Sequence, residues 1–214
     1  GYVELGELAR VHRGTVTGAN KTWVTPRDAV DLPDDLLLPA VTRARELFAA
    51  GERLTNSDDL KAVIDLPADL DLLDEPDRKR VDRFLRKAKK LGVANGYIAR
   101  NRRAWWSVGL ASPAPILTTY MARRPPAFVR NIVGARHINI AHGIYPRETM
   151  SDSDLDALAA YLRVNVSTTS GRTYAGGLTK FEPREMERLV VPDLPLLRDK
   201  GRHDSRSAAA MVGV

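Results

Sequence analysis

Residues 75–91 keep one helical period for long enough that little besides a helix can satisfy it. Val81, Phe84, Leu85, Ala88 and Leu91 recur at helical spacing and share a face. Lys79, Arg83, Arg86 and Lys90 share the opposite face, because each residue advances about 100° around the axis. Pro76 suits the first turn and Gly92 the C-terminal cap. The pattern predicts a surface helix with a cationic outer stripe. Such a stripe can follow a phosphate backbone, and a solvated helix face has the same appearance. The charge imbalance favours the former: Asp77 and Asp82 stand against eight basic residues between Arg78 and Lys90.

The rest of the chain comes in shorter pieces. Residues 3–11 and 22–25 read as strands around a glycine-containing loop, 37–50 as a helix ended by Gly51, and 62–66 as a buried strand stopped by Pro67. Strand-like stretches at 104–110, 116–121, 128–133 and 137–144 are punctuated by prolines at 113, 115, 125, 126 and 146. Ser151-Asp152-Ser153-Asp154 announces a second helix by its N-cap and acidic first turn, with Leu155, Leu158, Ala159 and Leu162 as its apolar face. Residues 183–189 read as a last short helix and 198–214 as a tail. Without a repeat or a low-complexity linker, the expected fold is α+β, a single domain of short mixed strands with several helices over residues 1–197.

Composition removes several kinds of chemistry. The 214 residues contain no cysteine, which excludes disulfides, thiolate metal sites and a cysteine nucleophile and fits a reducing cytoplasm. No apolar run is long enough to span a membrane, so no membrane partner is expected. The chain starts at Gly1, which suggests a piece of a longer protein. There is no P-loop, no G-x-G-x-x-G and no G-x-S-x-G. His137 and His142 lack a third ligand at helical spacing, so no metal site is expected. The formal net charge of +6 favours a polyanionic partner.

Three clusters carry candidate contacts to such a partner. In the loop bracketed by Gly14 and Gly18, Thr15, Thr17, Asn20 and Lys21 can donate to phosphate or base edges, and Arg13 adds charge; a polar hairpin satisfying its own backbone also fits. The basic helix supplies Lys79, Arg83, Arg86 and Lys90, followed by Arg100, Arg102 and Arg103 and then Trp105-Trp106, one of which can be a stacking platform if adjacent strand positions face opposite ways. The third cluster is Arg123-Arg124 before Pro125-Pro126, with Arg130-Asn131 and Arg136-His137 downstream; solvated arginines at a rigid corner also fit.

Two motifs at opposite ends of the chain add a resemblance. One is Arg13-Gly14-Thr15-Val16-Thr17-Gly18-Ala19-Asn20-Lys21-Thr22-Trp23-Val24. The other is Tyr174-Ala175-Gly176-Gly177-Leu178-Thr179-Lys180-Phe181-Glu182-Pro183, running on to Leu189-Val190-Val191-Pro192. In this order, with Leu5-Gly6-Glu7-Leu8-Ala9, Phe128-Val129-Arg130-Asn131 and Asn139-Ile140-Ala141-His142-Gly143-Ile144-Tyr145-Pro146 between or before them, the chain resembles the target recognition domain of adenine-specific DNA methyltransferases from restriction-modification systems. The resemblance implies sequence-specific binding of double-stranded DNA by a C-terminal part. The preceding catalytic domain of the full-length protein would hold S-adenosylmethionine through a glycine-rich loop and an N-P-P-Y/F motif. Neither motif is present here; Arg124-Pro125-Pro126-Ala127-Phe128 is only an echo, so no catalytic or cofactor-binding residue is assigned. Lys180 joins the candidate DNA contacts, whereas Gly176-Gly177-Leu178 and Val191-Pro192 are expected to be scaffold. Two other readings remain: a small metal-dependent nuclease using Asp34, Asp59 and Lys61, and a protein-docking specificity module.

Overall fold

The computed structural model describes residues 1–199, and most of the expected tail lies outside the described residues. The long helix forms where its periodicity places it, over Glu75–Lys90. The Asp74 carboxylate accepts the Asp77 amide at 3.0 Å, and Pro76 sits in the first turn, where its missing N–H costs nothing. Gly92 takes a left-handed φ of 77° just beyond the end. Val81, Leu85 and Ala88 are buried. Leu91 is not: it caps the helix and is 69% exposed, because the chain turns away at Gly92 before the apolar face continues. The second helix, Asp152–Asn165, has the expected Ser151 cap, closed reciprocally with Asp154, and buries Leu155, Leu158, Ala159 and Leu162.

The central sheet has five strands, in the order Ala9–Arg13, Ala141–Pro146, Ile116–Thr119, Phe128–Asn131, Arg53–Leu54. Neighbouring side chains on these strands face opposite ways and feed two cores. Ile116, Phe128 and Ile144 pack with Leu155, Leu158 and Leu162 of the second helix. Leu117, Val129 and Ala141 pack with Leu47 of the helix Ala44–Ala50. A smaller sheet, Arg136–His137, Leu37–Val41, Ala62–Ile64, Val24–Thr25, supports a third core around Trp23. Two ladders use the chain ends: Arg172–Tyr174, Leu178–Lys180 and Met121–Ala122 form one, and Tyr2–Glu4 pairs antiparallel with Val190–Pro192 in the other. The architecture is α+β in one unit, as expected.

Several expected elements differ, among them 137–144, which splits into Arg136–His137 in the smaller sheet and Ala141–Pro146 in the central one. Residues 37–50 are not one helix: Leu37–Val41 is a strand whose Leu38 pairs with Val63, and only Ala44–Ala50 is helical. The residue before Pro39 is driven from the α region, and a leucine-rich run serves a buried strand as well as a helix. Residues 3–11 are interrupted by the helical turn Leu5–Leu8, which lets Gly6 approach Glu187 closely: a Cβ on Gly6 would lie 3.2 Å from it. Residues 20–23 form a helical turn before the short strand Val24–Thr25. The 104–110 segment makes no strand, because the amides of Gly109 and Leu110 donate to the Asp65 carboxylate at 2.8 and 3.0 Å.

Trp23 is fully buried, with its ring centroid 5.8 Å from that of Phe84 on the long helix and 6.3 Å from that of Trp105. Trp23→Ala is expected to cost about 3–5 kcal/mol of stability. Leu91→Ala, as an exposed control, is expected to stay within about 0.5 kcal/mol. Urea unfolding of both variants checks this, and equal small losses would remove Trp23 from its central place.

Candidate nucleic-acid interface

The opening loop is built from close backbone approaches. A Cβ on Gly14 would lie 2.0 Å from the Ile138 carbonyl oxygen, so only glycine fits; its amide donates to Ala141 O at 3.0 Å. Thr15 makes a bridge to Ile138 and accepts the Asn139 amide at 3.1 Å. Thr17 is buried; its hydroxyl donates to the Asn20 side-chain oxygen and accepts the Ala19 amide at 3.3 Å. Gly18, at φ 78°, presses on Ile98 of the short helix Tyr97–Arg100, where a Cβ would meet the Ile98 Cβ at 2.7 Å.

Arg102 ties this loop down from the other side. Its Nη2 donates to the carbonyls of Val16 at 2.8 Å and Thr17 at 2.9 Å, and its Nη1 is buried without a partner among the described residues. Burial pushes the guanidinium pKa down, with the charge of Asp65 opposing. Arg102 and Thr17, both candidate DNA contacts, are therefore engaged inside the protein. Arg13, Val16, Gly18, Asn20 and Lys21 are the exposed positions of this motif.

The long helix divides into two electrostatic halves. In its first half, Arg78 pairs with Asp71 and Asp82, Lys79 with Glu75 at 2.6 Å, Arg80 with Asp31 and Asp77, and Arg83 with Asp31 at 2.9 Å. In its second half Arg86, Lys87, Lys89 and Lys90 are exposed, and none makes an ion pair among the described residues. Arg100 and Arg103, on the following turn, are likewise exposed and unpaired among the described residues. Two of the four stripe positions, Arg86 and Lys90, thus remain available, while Lys79 and Arg83 are neutralised. Lys87 and Lys89 lay outside the residues singled out by sequence; counting acids within reach of each base would have found them.

Both tryptophans of the pair pack inward. Trp105 and Trp106 meet edge to face at 5.9 Å, and the Trp106 indole N–H donates to Pro67 O at 3.0 Å. Without a strand to alternate them, they share the Trp23 core, which corrects the expectation of a stacking platform.

The third cluster is mostly tied up. Arg130, 4% exposed, binds Asp156 and Asp152 at 2.7 Å each, and Asn131 is buried in bonds to Ala114 O, Ala135 O and the Ala135 amide. These two are corrected from readers to scaffold. Arg136 donates to Ala111 O. Arg123 is exposed and donates to Gly176 O at 3.0 Å, while the Arg124 guanidinium lies 3.8 Å from the Phe48 ring centre. Lys180 pairs with Glu182 at 2.5 Å, which raises its pKa; Arg13 reaches the same carboxylate at 2.7 Å and lies over the Tyr120 ring. Beside them an open cleft of about 450 Å³ is lined by Arg172, Glu182, Pro183, Arg184, Glu185 and Arg188. The geometry therefore packs the opening loop against the arginine turn that follows the basic helix, links Lys180 to Arg13 of the opening motif through their shared partner Glu182, and holds Arg123 and Arg124 against Gly176 and Phe48.

The model of the family described as type II methyltransferase M.Eco57I, C-terminal domain, matches residues 1–211. The chain belongs to that family. The chain is 57% identical over 194 residues to the type II methyltransferase M.XamI of Xanthomonas campestris pv. amaranthicola, covering 91% of this chain and 37% of the relative. M.AccI of Acinetobacter calcoaceticus is 25% identical over 94% of this chain and 38% of its own length, and M.PaeR7I of Pseudomonas aeruginosa 27% over 86% and 32%. The chain thus spans less than two fifths of these methyltransferases. The type IIG restriction endonuclease BpuSI has a similar fold at a TM-score of 0.56, with 13% identity, covering 94% of this chain and 26% of that one.

Among the described residues of this family member, no three His, Asp or Glu side chains gather to hold a metal ion, and Asp34 and Asp59 are exposed on separate turns. None of the described helices is long and apolar enough to cross a membrane. His137 and His142 are buried beneath the opening loop. His142 stacks on Tyr120 at 4.1 Å and its Nε2 donates to Phe181 O at 2.9 Å, leaving Nδ1 unpartnered; His137 Nε2 is also unpartnered among the described residues. Burial, first of all, lowers both pKa values from the ordinary 6.5 to about 4. Both rings are neutral in the fold, whereas the unfolded chain takes up protons below its ordinary value. Stability present above pH 6.5 is therefore lost as the pH falls towards 4, by about 3 kcal/mol per histidine. Urea midpoints measured across this range are expected to fall steeply with acid, and a flat profile between about pH 7 and 4.5 would contradict the burial of neutral rings.

Proposed function

We propose that this chain holds and reads double-stranded DNA as the C-terminal part of an adenine-specific methyltransferase of a restriction-modification system. The observation that carries the reading is that Arg86, Lys87, Lys89, Lys90, Arg100 and Arg103 are exposed and make no ion pair among the described residues, in the stretch that leads from the long helix into the turn packed on the opening loop. A helix whose first half is neutralised by acids of the same chain and whose second half is bare presents charge to a partner rather than to its own fold. A phosphate backbone is the partner that uses such a row, through counterion release. Membership of a methyltransferase family makes DNA the polyanion to expect. The adenine assignment rests on the two end motifs and their resemblance, and on no single residue of this chain.

Methyl transfer requires S-adenosylmethionine and a pocket for an extruded base. This chain has no glycine-rich cofactor loop and no N-P-P-Y/F motif, so the residues present do not fit the cofactor. We assign it to the methyltransferase domain of the full-length protein, which would dock on this chain as its protein partner in the cytoplasm. The contribution of the chain's own residues is to hold the duplex and to place the target base.

Binding of a mixed-sequence duplex is expected to be strongest at low salt and to fall steeply as salt rises. Arg86→Glu with Lys90→Glu should weaken binding to every sequence alike, by at least about tenfold at low salt, and flatten the salt slope. Lys79→Gln, which removes an already neutralised charge, should have a smaller effect. Fluorescence anisotropy titrations measure all three. A wild-type chain that binds no duplex at low salt, or binds only RNA, would defeat the reading.

A further inference from the structure

Two exposed apolar side chains lie on the packed turns that also carry the exposed cations Lys21, Arg100 and Arg103, and neither helps to build the core. Tyr97 is 75% exposed at the start of the short helix Tyr97–Arg100, and Val16 is 43% exposed at the tip of the opening loop. Their backbones are held to one another's segments. Gly18 presses on Ile98, Arg102 clasps the carbonyls of Val16 and Thr17, and the Asn101 side chain donates to the Tyr97 carbonyl at 2.7 Å. The two turns therefore form one rigid unit. It carries apolar groups outward and is flanked by Lys21, Arg100 and Arg103, which are exposed and make no ion pair among the described residues.

We propose that this paired turn is the base-reading element of the domain, with Tyr97 and Val16 making apolar contact with thymine methyl groups in the major groove. The proposal rests on the DNA-binding reading above. The charges around the two side chains select a nucleic acid over an apolar protein partner. In an intact duplex the base faces are stacked and inaccessible, and the C5 methyl of thymine is the apolar group that the major groove offers. The side chains differ from their neighbours in function: Arg86, Lys87, Lys89 and Lys90 grip any sequence, whereas an aromatic ring and an isopropyl group discriminate. Rigid mounting matters because a reader that had to be ordered on binding would lose much of its discrimination to that ordering.

The test selects duplexes from a random pool with the wild-type chain, then remakes the selected duplex with uracil for thymine. Wild type is expected to lose about fivefold in affinity on removal of the methyl groups, and the Tyr97→Ala, Val16→Ala double variant almost none. The double variant should keep its low-salt affinity for mixed sequence within about twofold, since no phosphate contact is removed. Tyr97→Phe keeps the ring and should keep the uracil sensitivity. If the double variant selects the same sequence and retains the same uracil sensitivity, or if wild type selects sites indifferent to uracil, the proposal is overturned while general DNA binding stands. If wild type binds no duplex at all, the underlying reading falls and this one with it.

Discussion

The packing of Trp23 organises the rest of the molecule. Its indole is excluded from solvent between Phe84 and Trp105, and each of these belongs to a different stretch of sequence. Because Trp23 directly follows the glycine loop, burying it fixes that loop against the long helix and against the arginine turn. Close packing makes the arrangement stiff, since an aromatic cluster of this size leaves no room for a neighbour to slide. The exposed cations stand where they do as a consequence of apolar geometry. No charge–charge attraction assembles them, and mutual repulsion opposes it.

That repulsion explains the asymmetry along the helix. Acids from Asp31, Asp71, Glu75, Asp77 and Asp82 are all placed towards its start, where they also suit the positive end of the helix dipole. Lys87, Lys89 and Lys90 lie in its last turn, at the negative end. The dipole thus favours the segregation of charge, and the bare half is tolerated without internal counter-ions. Salt should screen this surface easily, because all of these groups are open to water.

Much of the fold was legible from local signals. Both long helices were visible because cap, period and apolar face agreed at Asp74-to-Gly92 and at Ser151-to-Leu162. Errors arose where two signals competed. At Leu37 and Leu38 the leucines suggested a helix, while Pro39 opposed it and the ladder with Ala62–Ile64 settled the matter. At 104–110 the residue types suggested a strand, but the distant Asp65 captured the amides of Gly109 and Leu110 that a ladder would have used. Site residues were less legible still. Thr17, Arg102, Arg130 and Asn131 have the side chains of DNA contacts, and sequence carries no sign that each has an internal partner. Tyr97 was overlooked because one aromatic residue in a short turn has no periodicity to mark it.

The antiparallel pairing of Tyr2–Glu4 with Val190–Pro192 brings the first strand and the last strand of the described residues side by side. Nearly two hundred residues therefore leave from and return to one small clasp. A module held in this way can be exchanged as a cassette: its outer loops can diverge or be grafted from a relative while the attachment seam keeps its shape.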